Sequence, residues 1–268
     1  MLFTKGTGLA FFLFFYTILN MLNIDNNSNM SEVSQEKSQI LHEMIAARVY
    51  FGHRTSKTNP RMKQYIAGAK NGLEIIDLEK TYDQLEEAKK IIGDLSQKGK
   101  MLMIVGTNPM IRDLVQTTAE KAGCWCAINH WIGGLLTNFK TVYTRLKYLR
   151  ELREKDSKGE LQKYTKKERI KFQKEIIDLS EMFKGLDKCD RLPDALLVVN
   201  TKLHETAVKE AKKINIPIIG ILDTDSDPRM IDYPIIASDH TRSSVEYILN
   251  QLISAFNENK QKIVVEKK

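Results

Sequence analysis

The sequence predicts an α/β protein: a doubly wound, mostly parallel sheet with an inserted α-helical coiled-coil hairpin. Three observations predict it. Short apolar runs bounded by turn residues alternate with stretches of helical periodicity. The runs carry no alternating polar residues, so their strands are covered on both faces, the usual condition of parallel strands. One long stretch, 141–190, shows no strand pattern at all.

In chain order, Leu9 to Leu22 is almost wholly apolar, shorter than the roughly 20 residues that cross a bilayer. It has the look of a signal-peptide apolar region, with Lys5 upstream, but Asn23 to Asn29 offers no small-residue cleavage site. Met30 opens a polar helix start. The favoured reading is a protein that begins at Met30, with a removable or weakly anchoring leader as the alternative. Residues 1–30 are therefore set apart as an extension. Ile40, Leu41, Met44, Ile45 and Val49 recur at helical spacing. From Tyr50 to Tyr65 periodicity disappears, Asn59-Pro60 marks a turn, and Arg54, Lys57, Arg61 and Lys63 crowd together: an ordered basic loop.

The strand runs are Glu74 to Leu78, Met101 to Val105, Ala195 to Val199, Ile216 to Leu222 and Ile235 to Ala237, with a short one at Ala127 to Ile128. Helical patterns occupy Tyr82 to Leu95, Ile111 to Ala122, Leu203 to Ile214 and Ser243 to Phe256. Residues 31–140 and 191–258 form the α/β domain, 141–190 the hairpin, and 259–268 a basic tail. Within the hairpin, Val142, Leu146, Leu149 and Leu152 make one narrow stripe, and Ile170, Ile176, Ile177 and Phe183 the other. Thr165 and Glu168 have capping-box spacing. Between Lys140 and Cys189 there are fifteen Lys or Arg and nine Asp or Glu, so this arm is locally basic. A solvated charged face is the plain reading; an RNA or protein docking arm is the sharper one.

Charge points the same way. Lys plus Arg number 41 against 34 acids, +7 formally, which suits a polyanionic partner without requiring one. Three cysteines, Cys124, Cys126 and Cys189, have neither zinc nor redox spacing and read as buried small residues in a reducing compartment. A dinucleotide site is excluded: the strand ending at Val105 is followed by Gly106 alone, not three spaced glycines, and no Walker pattern exists. None of the five histidines is paired at metal spacing on a helix, and His42 and His204 read as ordinary surface residues. No catalytic constellation emerges. Asp223-Thr224-Asp225-Ser226-Asp227-Pro228 follows a strand at the edge where α/β ligands bind; turn formation is favoured there over cation binding. His53, Asp223 and Asp239 form a candidate cation set, suiting zinc through the imidazole or magnesium through oxygens and water.

Four strings carry a resemblance to the bacterial-type family of small-subunit ribosomal protein two: Tyr50 to Thr55 with Asn59-Pro60-Arg61-Met62; Ile75 to Thr81; Asn129 to Thr141; and Leu192-Pro193-Asp194-Ala195 with Asp223 to Pro228. They occur in that family's order and cover roughly Leu41 to Phe256. The resemblance implies a flavodoxin-like domain with a helical insertion, seated in the cytoplasmic ribosome of bacterial type, or an organellar one. It implies small-subunit ribosomal RNA and neighbouring ribosomal proteins as partners, including the large messenger-binding one if bacterial. RNA contact is expected from Arg54, Lys57, Arg61, Lys63, Lys70, His130, Asn138 and Lys140. Two departures stand out. No arginine separates His130 from Trp131, and Ala237-Ser238-Asp239-His240 replaces the family's Gly-Asn-Asp-Asp. The expected function is a structural, non-enzymatic constituent of the small subunit. The alternative is a small-molecule binder or enzyme on the same kind of sheet, since fold alone does not decide function.

Overall fold

A computed structural model describes residues 32–266, with side chains from 37 to 260. The apolar leader and the Met30 start lie outside the described residues. The order is α1 (Glu32–Ala46), β1 (Phe51–Arg54), β2 (Ile66–Lys70), β3 (Leu73–Ile76), α2 (Leu78–Gln97), β4 (Leu102–Val105), α3 (Arg112–Ala122), β5 (Trp125–Ala127), α4 (Phe139–Ser157), α5 (Lys166–Met182), β6 (Ala195–Val199), α6 (Glu205–Lys213), β7 (Ile218–Leu222), β8 (Tyr233–Ile236) and α7 (Arg242–Glu266). Because α7 continues to Glu266, most of the expected tail at 259–268 prolongs a helix.

Five strands form one parallel sheet in the order β5-β4-β6-β7-β8. In sequence terms this is 2-1-3-4-5, a doubly wound order with its switch point between β4 and β6. Burial on both faces explains the unbroken apolar runs. Leu102, Ile104, Leu197, Val199, Ile219, Ile221 and Ile235 point into one core, under α1, α2, α3 and α7. Met103, Val105, Leu196, Val198, Ile218, Leu222 and Ile236 point into the other. That second face is covered by α6 and by the feet of the helical insertion: Leu146 and Leu149 of α4, Leu179 of α5, then Phe183, Leu186 and Cys189. The insertion thus shares its base with the sheet.

Three expectations are corrected. The stretch Tyr50–Tyr65 is not simply a loop: it contains β1, which joins β2 and β3 in a separate antiparallel sheet, order β1-β3-β2. The run near Glu74 belongs to that sheet and not to the parallel one. β2 (Ile-Ala-Gly-Ala-Lys) offers no apolar run; it is a strand because the two-residue Asn71-Gly72 turn, both residues at positive φ, folds it back on β3. In the insertion, Ile170 and Ile177 are 58% and 63% exposed, so they do not face α4 as the stripe suggested. The side-chain links between the two helices, Tyr148 to Glu175 and Arg153 to Ser180, fall on the second half of α5. The capping box at Thr165 and Glu168 is present.

Candidate functional site

The basic residues are mounted on rigid backbone. Gly52 lets β1 press against the loop after β7, where a Cβ would stand 2.8 Å from Thr224 Cγ2. The amide of Asn59 donates to the Thr224 carbonyl at 2.9 Å, and Met62 anchors the following turn in the second core with no exposure. Arg54, Lys57 and Arg61, between these anchors, and Lys63, just beyond Met62, are all exposed. Arg61 is partly committed, its Nη1 lying 2.6 Å from Asp227 Oδ2. Lys70 ends β2 and is half-buried.

His130 and Asn138 are exposed on the turn after β5, and Lys140 in the first turn of α4, at the same carboxyl end of the sheet but at its other side. One buried carboxylate shapes this turn. Glu210 of α6 accepts from Trp131 Nε1 (3.0 Å), the amides of Gly134 (2.8 Å), Leu136 (3.1 Å) and Thr137 (3.2 Å), and Thr137 Oγ1 (3.3 Å). Burial pushes its carboxyl up, but the Trp131, Gly134, Leu136 and Thr137 hydrogen bonds outweigh that and hold it below the ordinary value. Asn138 stands before α4 and accepts from Thr141 Oγ1 at 2.8 Å. Glu210 escaped the sequence reading because one carboxylate in an amphipathic helix carries no local signal of its long-range donors.

The ligand crevice of a doubly wound sheet lies at the switch point, here between the carboxyl ends of β4 and β6. His204 fills it. Instead of lying on the surface as expected, it is 3% exposed. Its Nε2 accepts from the Thr107 amide at 3.2 Å, and its Nδ1 faces the Asn200 carbonyl at 2.8 Å. Burial holds this imidazole below its ordinary pKa, in the neutral form that the hydrogen bonds require. A neighbouring crevice of about 270 Å³ is lined by Glu205, Asp225 and Asp227 with Thr201 and Lys202; Asp225 is paired with Lys202, and Asp227 with Arg61 and Arg229. The cysteines are inert: burial pushes Cys124, Cys126 and Cys189 up to about 12, 11 and 12.

The candidate cation residues do gather, with one exchange. His53 Nδ1 lies 3.2 Å from Asp223 Oδ2. The third side chain facing them is His240, whose Nε2 is 3.2 Å from the same oxygen and 2.8 Å from His53 Nδ1. Asp239 stands behind, its Oδ1 2.9 Å from His240 Nδ1. The neighbouring Asp239 carboxylate raises the His240 pKa, and burial raises that of Asp239. His240 was passed over in the sequence because a residue beside a candidate ligand gives no sign of which of the two side chains turns inward.

Comparison with known proteins agrees with this picture. Residues 44–259 match the family model of ribosomal protein S2. Similar curated proteins include the small ribosomal subunit protein uS2 of Coprothermobacter proteolyticus, 39% identical over 221 residues, 82% of each chain. That of Mesoplasma florum is 42% identical over 80% of each chain. That of Mycoplasma capricolum subsp. capricolum is 44% identical over 82% of this chain and 75% of its own. With the family model spanning most of its length and the fold carrying the same segments at its exposed end, this chain belongs to the ribosomal protein S2 family.

Proposed function

We propose that the chain serves the small ribosomal subunit, of which it is a structural constituent and not an enzyme, by docking the carboxyl end of its sheet on ribosomal RNA. Arg54, Lys57, Arg61 and Lys63 neutralise phosphates on one side, while Lys70, His130, Asn138 and Lys140 set the register. The observation that carries this reading is the group of four exposed basic residues in a segment fixed to the core by Gly52, Asn59 and Met62, at a cost in chain entropy already met by folding. The insertion acts as a coiled-coil docking arm toward neighbouring ribosomal proteins, the large messenger-binding one among them. The exposed Ile170, Ile177 and Tyr164 support that role, since they offer apolar surface to a partner. Its setting is the bacterial-type cytoplasmic ribosome.

Replacing Arg54, Lys57, Arg61 and Lys63 together with Ala tests the RNA contact. The slope of log affinity for small-subunit RNA against log salt should flatten by roughly 0.7–0.9 per lost contact. An unchanged slope removes these residues from the interface.

A further inference from the structure

We propose that Arg61 and Arg229, brought together around Asp227 by two matching turns, form a clamp for one phosphate group of the RNA backbone. The inference rests on the RNA reading above and extends it to Arg229, which lies outside the basic segment.

The two turns repeat one pattern. Asn59-Pro60-Arg61-Met62 and Asp227-Pro228-Arg229-Met230 both run Asx-Pro-Arg-Met, where Asx is Asn or Asp. Each opens a short 3₁₀ helix, at Pro60–Tyr65 and at Pro228–Met230. In both, proline takes the first helical position and the Asx side chain accepts from the arginine amide, at 3.0 Å for Asn59 and 3.2 Å for Asp227. Arg61 and Arg229 thus occupy the same place in the same kind of turn. The turns are also fastened to each other and to the core. Asn59 donates its amide to the Thr224 carbonyl, in the loop that leads into the second turn, at 2.9 Å. Met62 roots the first turn in the second core, and buried Pro228 and Ile231 root the second.

Asp227 draws the two arginines to one point. Its Oδ2 lies 2.6 Å from Arg61 Nη1 and 3.4 Å from Arg229 Nη2, and its Oδ1 lies 3.4 Å from Arg229 Nε. Two guanidiniums on one carboxylate leave an excess positive charge, and the long links to Arg229 hold it only weakly. Arg61 and Arg229 stay 47% and 64% exposed, and neither has another ion pair among the described residues. Of the three acids that line the adjoining crevice, Asp227 alone faces two arginines. Asp225 and Glu205 each face one lysine, Lys202 and Lys209. Planar guanidiniums grasp a phosphate through paired N–H donors, and the carboxylate marks where an oxyanion fits between them. Because both turns are already fixed, little freedom is lost on binding. RNA suits this clamp better than an acidic protein segment does, since Arg54, Lys57 and Lys63 stand exposed in the same segment as Arg61.

The test measures binding of the full-length chain to small-subunit ribosomal RNA across a salt series. Arg229→Ala and Arg229→Gln should each flatten the slope of log affinity against log salt by roughly 0.7–0.9, the mark of one lost phosphate contact. Arg229→Lys should keep the wild-type slope yet bind more weakly, since an ammonium cannot pair its donors in a plane. Lys209→Ala, which removes an exposed cation from α6, should change neither. Arg229 is exposed, so its variants should stay within about 0.5 kcal/mol of wild type in stability. Replacing Arg54, Lys57 and Lys63 together with Ala separates the two readings. If that triple variant flattens the slope while both neutral Arg229 variants leave it unchanged, RNA still meets the basic segment, but the clamp is overturned and Arg229 merely pairs with Asp227. If none of these variants moves the slope, the RNA reading falls and the clamp falls with it.

Discussion

Two buried carboxylates, Glu210 and Asp223, show what hydrogen-bond bookkeeping reveals. Glu210 is surrounded by donors: three amides, an indole N–H and a hydroxyl converge on it. Asp223 has donors on one oxygen and two imidazole nitrogens, with no aligned N–H, at the other. The first is complete in itself and organises a turn. The second leaves one oxygen to the imidazoles of His53 and His240. A saturated buried carboxylate is thus a piece of architecture, and an unsaturated one points to a partner.

The contrast predicts a graded set of effects. The largest lies beyond the Glu210 turn, in the insertion that this turn launches. Excising 141–190 with a short Gly-Ser linker removes Leu146, Leu149, Leu179, Phe183, Leu186 and Cys189 from the second core. Buried side chains of this size contribute roughly 2–5 kcal/mol each, so together they exceed the 5–15 kcal/mol that folds a domain. Cooperative melting by circular dichroism should disappear. A sharp transition after excision would show the insertion to be a separable appendage.

Next is Glu210→Ala, which strands five donors and should cost about 3 kcal/mol in urea unfolding, against about half that for Glu210→Gln, which keeps one acceptor. A loss under about 1 kcal/mol for the alanine variant would erase the distinction between the two carboxylates.

Acidification gives a smaller effect of known sign. Because Glu210 titrates below its ordinary value in the folded protein, its ionised form adds stability that is complete above the unfolded glutamate pKa, about 4.3. That contribution is lost as pH falls through the lower folded value. The stability gap between wild type and Glu210→Gln should therefore narrow from neutral pH to about pH 3. A gap that widens would reverse the assignment.

The smallest effect is expected at the other carboxylate. Asp223→Asn keeps Oδ1 for the amides of His53 and Thr224 and removes a buried charge. Its stability should stay within about 0.5 kcal/mol of wild type.

The parallel sheet and its helices were legible in the chain because burial on both faces writes itself as unbroken runs such as Ala195–Val199. The Thr165–Glu168 cap was legible because its two partners are three residues apart. The exposed basic group from Arg54 to Lys63 could be read from local density alone. Other features could not. His204 looks like any histidine in a helical pattern until Thr107 and Asn200 close on it. Gly185 is another case: a Cβ there would stand 2.4 Å from the Cys126 carbonyl oxygen, a contact between segments nearly sixty residues apart.

By itself, then, the sequence determined the layers, the basic segment and the family resemblance, all of which arise from neighbours along the chain and the periodicities they impose. Tertiary structure alone decided that the insertion closes the second core, that Glu210 gathers the turn after β5, and that His240, with Asp239 behind it, completes a triangle with His53 and Asp223. The physical reason is range. Periodicity and capping act over a few residues, whereas a buried polar group is satisfied by whatever the fold brings to it, and His53 meets its partner Asp223 across 170 residues of chain.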